Sequence, residues 1–164
     1  MNLEIRTILY ASGLDEGCEA ALTYAINLAN RMGARLLVLT VIDEQRERSL
    51  IDLDSHVPQQ GLDQYHDDRA ARARAHIDAQ LAAFYAVRGS DAPQRPITEL
   101  IVHEGDDVAQ AILDEAERGA ADLILLASHG EGLLAGLLFG SVSQEVLRRG
   151  RRPLLLVPVG DGKC

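Results

Sequence analysis

The chain has 164 residues, of which 47% are apolar and 25% charged, with 4% aromatics and no tryptophan. That is the length of one domain and the composition of a globular protein with a Leu, Ile, Val and Ala core. A formal charge of −9 repels phosphate backbones and argues against a nucleic-acid partner.

No run approaches the roughly 18 apolar residues of a membrane span. The opening Met-Asn-Leu-Glu-Ile-Arg lacks the layout of a signal peptide. Cys18 and Cys164 form no disulfide framework, and this usage fits a reducing, cytoplasmic setting.

Ile5 to Ala11 is β-rich and runs into Ser12-Gly13, which predicts a strand and a turn. Asp15 or a neighbour can start a helix. Cys18, Ala21, Leu22, Ala25, Leu28, Ala29 and Met32 then recur at helical spacing, and Gly33 ends it. Leu36 to Ile42 is a continuous apolar run of strand length, as suits a parallel sheet covered on both faces. Residues 43–61 are charged and polar and read as a long loop.

From about residue 64 to 88, Ala73, Ile77, Leu81 and Phe84 share one face of a helix closed by Gly89. Ile97 to Val102 is a third strand. Val108, Ile112, Leu113 and Ala116 mark a third helix ended by Gly119. Leu123 to Ala127 is a fourth strand, Val142, Val146 and Leu147 belong to a fourth helix, and Pro153 to Val159 is a fifth strand before a tail at 159–164.

This alternation predicts a single α/β domain over residues 1–164. Its sheet is open, doubly wound, parallel and five-stranded, with order 3-2-1-4-5 and helices on both faces. Ligands of such sheets bind at the C-terminal ends of the strands, where the strand order reverses. The last strand, bounded by Pro153 and Pro158, reads as an edge. An apolar edge needs cover, and a two-fold partner pairing through residues 153–159 is expected to supply it.

The chemistry concentrates after the fourth strand. Ala127-Ser128-His129-Gly130 is followed, nine residues on, by Gly140-Ser141-Val142-Ser143 at the start of a helix. Glycine lets a backbone come close to a ligand, and the free N–H groups of a helix's first turn attract an anion. This points to phosphate, and through it to a nucleotide.

Other phosphate signatures fail. No G-x-x-x-x-G-K-[ST] occurs. Gly130-x-Gly132-x-x-x-Gly136 mimics a dinucleotide fingerprint but leaves too little chain for the partner half. Ser12-Gly13-Leu14-Asp15 is an incomplete match to the S-G-G-x-D-S loop of PP-loop ATP pyrophosphatases. His56, His66, His76 and His103 have no ligand spacing, so no metal site is expected. Ser141 with Gln144 fits a capping box, and Arg148, Arg149, Arg151 and Arg152 read as a solvated helix end.

The Gly130-x9-Gly140-Ser141 spacing resembles the nucleotide-binding pattern G-x-x-G-x9-G-[ST] of the universal stress protein family. The first glycine of that pattern is Ala127 here, and the family's acid after strand one is Gly13. The resemblance covers the chain, from Ile8-Leu9-Tyr10 through Val41-Ile42-Asp43-Glu44 to Arg151-Arg152-Pro153-Leu154-Leu155-Leu156-Val157-Pro158.

The resemblance implies a site for ATP or AMP, with Mg²⁺ bound through the nucleotide phosphates. Val41 would pack on the adenine or ribose, and Ala11, Ser12 and Gly13 would line base and sugar. Leu126, Ala127, Ser128, His129 and Gly130 would surround the ribose and α-phosphate. Gly140, Ser141, Val142 and Ser143 would hold the outer phosphates. His129 serves as a site wall. The methyl of Ala127 is harmless at negative φ and costs about 1 kcal/mol or more at positive φ. Losing the acid at position 13 weakens base discrimination more than phosphate binding.

The implied role is regulatory, as a homodimer joined through the last strand in a stress response, and not enzymatic. Two alternatives stand beside it. One is a dimeric interaction module with no nucleotide. The other is a slow ATPase, for which His129 and Asp15 are the only candidate bases.

Overall fold

The computed structural model describes residues 4–12, 19–43, 62–89, 98–129 and 140–159. Five strands are present: β1 (Thr7–Ser12), β2 (Arg35–Asp43), β3 (Thr98–Gly105), β4 (Leu123–His129) and β5 (Leu154–Val159). Among the described residues four helices alternate with them: α1 (Glu19–Met32), α2 (Leu62–Arg88), α3 (Val108–Arg118) and α4 (Ser141–Arg149). All pairings are parallel, in the order β3-β2-β1-β4-β5. The expected fold and strand order are therefore found, with β5 on one edge. Asp15, Cys18 and most of the predicted 43–61 loop lie outside the described residues, and Asp43 is the last residue of β2.

Two apolar layers flank the sheet. On one face Ile8, Tyr10, Leu36, Val38 and Leu125 meet Ala21, Leu22, Ala25 and Ile26 of α1 and Ile77 and Phe84 of α2. On the other face Leu9, Leu37, Leu39, Val41, Ile124 and Leu126 meet Ala109, Ile112 and Ala116 of α3 and Val146 of α4. The middle stretches of the central strands, Ile8–Tyr10, Leu36–Leu39 and Leu123–Leu126, are thus apolar on both faces because both faces are covered.

Local signals set the helix ends. Gly33 and Gly89 sit at φ +63° and +51°, the left-handed conformation that stops a helix. α3 ends at Gly119, as expected, but without a left-handed glycine. Gly119 has φ −81°, and the left-handed residue is Ala120, at φ 49°. Glycine is required at 119 for space, since a Cβ there would run into Leu37 Cδ1 of the core.

The sheet's N-terminal end is pinned by side chains. Asp122 accepts the backbone N–H of Arg6 at 2.9 Å and of Thr7 at 3.0 Å, which joins the start of β4 to the start of β1. Arg152 donates to the Ala121 carbonyl and Arg35 to the Gly119 carbonyl. The predicted solvated arginine run is accordingly only part of the picture. Arg148 pairs with Glu145 on the surface, whereas Arg149 crosses to α3, where it meets Asp107 at 3.0 Å and Gln110.

Asp107 caps α3 by accepting from the Gln110 amide, and its carboxylate is held below the ordinary range by that bond and then by Arg149. A depressed acid stabilises the fold above its unfolded pKa and loses that contribution as the pH falls through the folded value. The tie between α3 and α4 therefore weakens in acid.

Candidate functional site

The strand order turns at β1. The chain leaves β1 toward β2 on one side, and β4 lies on the other. The crevice of an open α/β sheet opens at this point, at the C-terminal strand ends. Ala11 is paired with Leu126 of β4 and with Leu39 of β2, so the floor of the crevice is fixed by ladder register.

Alternation then sorts the candidate residues between two faces. Ala11, Val41, Leu126 and Val142 join the layer under α3 and α4. They form an aliphatic wall on one side of the crevice. Ser12 and Ala127 are one residue on from Ala11 and Leu126 and face the α1/α2 layer instead. Ser12 is buried, and its side chain shares a hydrogen bond with Tyr10, whose phenol is pushed up by burial with that bond acting against it. Its side chain does not join Ala11 and Val41, and only its backbone is at the crevice.

Ala127 lies within β4 and pairs with Val157, in extended backbone. The methyl that replaces the pattern's first glycine therefore carries no left-handed strain. Ser128, half-buried, follows on the α3/α4 side and pairs with Pro158. His129 ends the strand. Gly13, Gly130 and the segment 131–139 lie outside the described residues.

The start of α4 completes the site. Gly140 is the N-cap, with φ −64° and ψ 162°, and no side chain caps the helix. Ser141 is the first helical residue and is exposed, so the predicted Ser141–Gln144 capping box does not form. The Gln144 amide bonds the Gly140 carbonyl, which is the first backbone bond of the helix. The amides of Ser141, Val142 and Ser143 precede it and have no intrahelical acceptor.

Ser143 is buried, and its hydroxyl donates to the Gly140 carbonyl at 3.0 Å. That proton is spent inside the turn and fastens the N-cap. What α4 offers an anion is a row of amides, the exposed Ser141 hydroxyl and the positive end of the helix dipole. Sequence reasoning found the glycine and the helix start, and missed the use of Ser143 as a brace.

A family model described as the universal stress protein family matches residues 4–158. No curated protein matches the sequence. Solved structures are similar in fold. The universal stress protein UspA from Lactobacillus plantarum is 24% identical, with 95% of this chain and 99% of that one covered at a TM-score of 0.63. A universal stress protein in complex with cAMP is 20% identical, with 94% and 98% covered and a TM-score of 0.56. The universal stress protein from Archaeoglobus fulgidus in complex with dAMP is 14% identical, with 93% and 96% covered and a TM-score of 0.51. A match that runs from the residues before β1 into β5, on this strand order, makes the chain a member of the universal stress protein family.

Proposed function

We propose that the protein binds an adenine nucleotide, ATP or AMP with Mg²⁺, in the crevice between β1 and β4, and works as a regulatory homodimer in a stress response. The observation that carries the reading is the start of α4, which no side chain caps among the described residues and whose first amides, without intrahelical acceptors, follow β4 at the switch point of the sheet. The aliphatic wall of Ala11, Val41 and Leu126 suits a base or sugar face. Two proteins of the same fold hold cAMP and dAMP, which supports an adenylate as the ligand class.

Mg²⁺ would ride on the nucleotide phosphates.

The test is to denature freshly purified protein, identify any released nucleotide by chromatography, and titrate ATP with Mg²⁺ into stripped protein by calorimetry. Near-stoichiometric adenylate or micromolar binding is expected. An empty protein with no heat at millimolar ATP would overturn the reading in favour of an interaction module.

The dimer rests on β5. It is an edge strand, and its own chain leaves Leu154, Leu155, Leu156 and Val157 only half-buried. Sedimentation at micromolar concentration is expected to give a dimer, and a monomer there would remove β5 as the joining surface.

A further inference from the structure

The first amides of α4 can serve a phosphate only where that helix is held in place. α4 has nine residues and buries two of them, Ser143 and Val146. A helix that short is not stable alone, so its position is set by what it packs on. Among the described elements it leans chiefly on α3 and much less on the sheet. Val142 and Val146 join the apolar layer that contains Ala109 and Ile112 of α3. Apolar burial is non-directional and fixes neither the height nor the rotation of α4 on α3.

Arg149 supplies directional bonds. Its Nη1 donates to the two carboxylate oxygens of Asp107, at 3.0 and 3.4 Å, and its Nη2 donates to Gln110 Oε1. Both acceptors are themselves held. Asp107 is the N-cap of α3 and accepts the Gln110 amide at 2.9 Å, and the Gln110 side-chain amide donates to Asp114 at 2.5 Å. A guanidinium is a rigid planar fork, so one that meets two fixed acceptors on the first turn of a helix has one orientation open to it.

The contact is made at the crevice end of the layer. Asp107 comes two residues after Gly105, the last residue of β3. Arg149 is the last residue of α4, but a helical side chain slopes toward the N-terminus of its own helix, and this carries the guanidinium back toward the anion-facing end. The Arg149 side chain is 27% exposed and that of Asp107 57%. A pair so open to water adds little to global stability, so its effect lies in geometry.

We propose that Arg149 is a positioning residue of the nucleotide site: by clamping α4 to the first turn of α3, it holds the amides of Ser141, Val142 and Ser143 toward the crevice. The positioning role rests on the phosphate reading of α4, and the clamp does not.

Two measurements separate them. Arg149→Met keeps the apolar stem and the helix preference, so the variant folds. In nucleotide-free protein its α4 amides from Gln144 onward should exchange hydrogen about tenfold faster than in the wild type, with α1 and β1 unchanged. In calorimetry well below the unfolding midpoint, its dissociation constant for ATP with Mg²⁺ should rise about tenfold. Arg149→Lys should recover part of that loss, because an ammonium reaches Asp107 but cannot fork to Gln110. An arginine with a merely structural role would lower the unfolding midpoint and leave the affinity alone. Unchanged exchange in α4 would overturn the clamp, whatever the protein binds. Faster exchange with wild-type affinity would overturn the positioning role. A wild type that gives no heat with millimolar ATP would overturn the phosphate reading and the positioning role together, and the exchange result tells that case from a failed clamp.

Discussion

Replacing Gly140 with valine is expected to weaken ATP binding by on the order of 100-fold while the fold persists, which corresponds to about 2.7 kcal/mol. In the proposed complex the amides of α4 from Ser141 onward hold the phosphates, so a ligand would approach over the Cα of Gly140. A branched side chain there stands in the anion's path and displaces charge-assisted bonds, each of which is worth roughly 1.5–3 kcal/mol.

The fold tolerates the change for two reasons. Gly140 has φ −64° and ψ 162°, a conformation any residue adopts. Among the described residues, a Cβ built on it meets only the Ser143 hydroxyl oxygen, at an ordinary 3.9 Å. Circular dichroism should match the wild type, with a stability loss of at most about 1 kcal/mol from the poorer N-cap. Wild-type affinity in calorimetry would show that the phosphates bind elsewhere.

Gly150→Ala should do the reverse and strike stability. Gly150 ends α4 and turns the chain toward β5, and its amide bonds the Val146 carbonyl at 2.8 Å. An added Cβ would lie 2.5 Å from the Val146 carbonyl oxygen and 3.2 Å from Leu113 Cδ2. The first neighbour is backbone and cannot swing aside, so the end of α4 must move off α3. A cost of about 2–3 kcal/mol is expected, in the range of overpacked cores. Urea unfolding would read it as a lower midpoint at unchanged slope. A midpoint equal to the wild type would mean that the chain after α4 relaxes without strain.

The contrast between these two glycines shows where sequence reading ends. Both stand at a helix boundary and look alike as letters. One leaves open space beside it and the other is wedged against a carbonyl, and only the packing of α4 on α3 distinguishes them. Gly33 and Gly89 were legible because the left-handed conformation at a helix end is a local demand. Ala120 was not, since Gly119 beside it looked the better stop.

The strands show the same limit. Leu36 to Ile42 and Leu123 to Ala127 announce themselves as buried parallel strands by being apolar throughout. That same feature erases the alternation that would reveal which face each residue serves. Ser12 and Val41 were therefore placed in one site from sequence, and the register sends their side chains to opposite layers. The capping box at Ser141 failed for a related reason. The pattern fits two starting points of the helix, and the chain uses the one in which Gly140 is the cap.

The sheet order also constrains how the molecule can be assembled. β1 is made first, yet its partner on one side is β4, and the bond from the Thr7 amide to Asp122 spans 115 residues of sequence. Closing a loop of that length must precede any reward from the pairing, which is the signature of a slow folder. On a ribosome the β1–β2 and β2–β3 ladders can form while synthesis continues, but the middle of the sheet stays open until the fourth strand has emerged. The crevice is made by that closure, so a nascent chain has none until β4 and α4 have emerged.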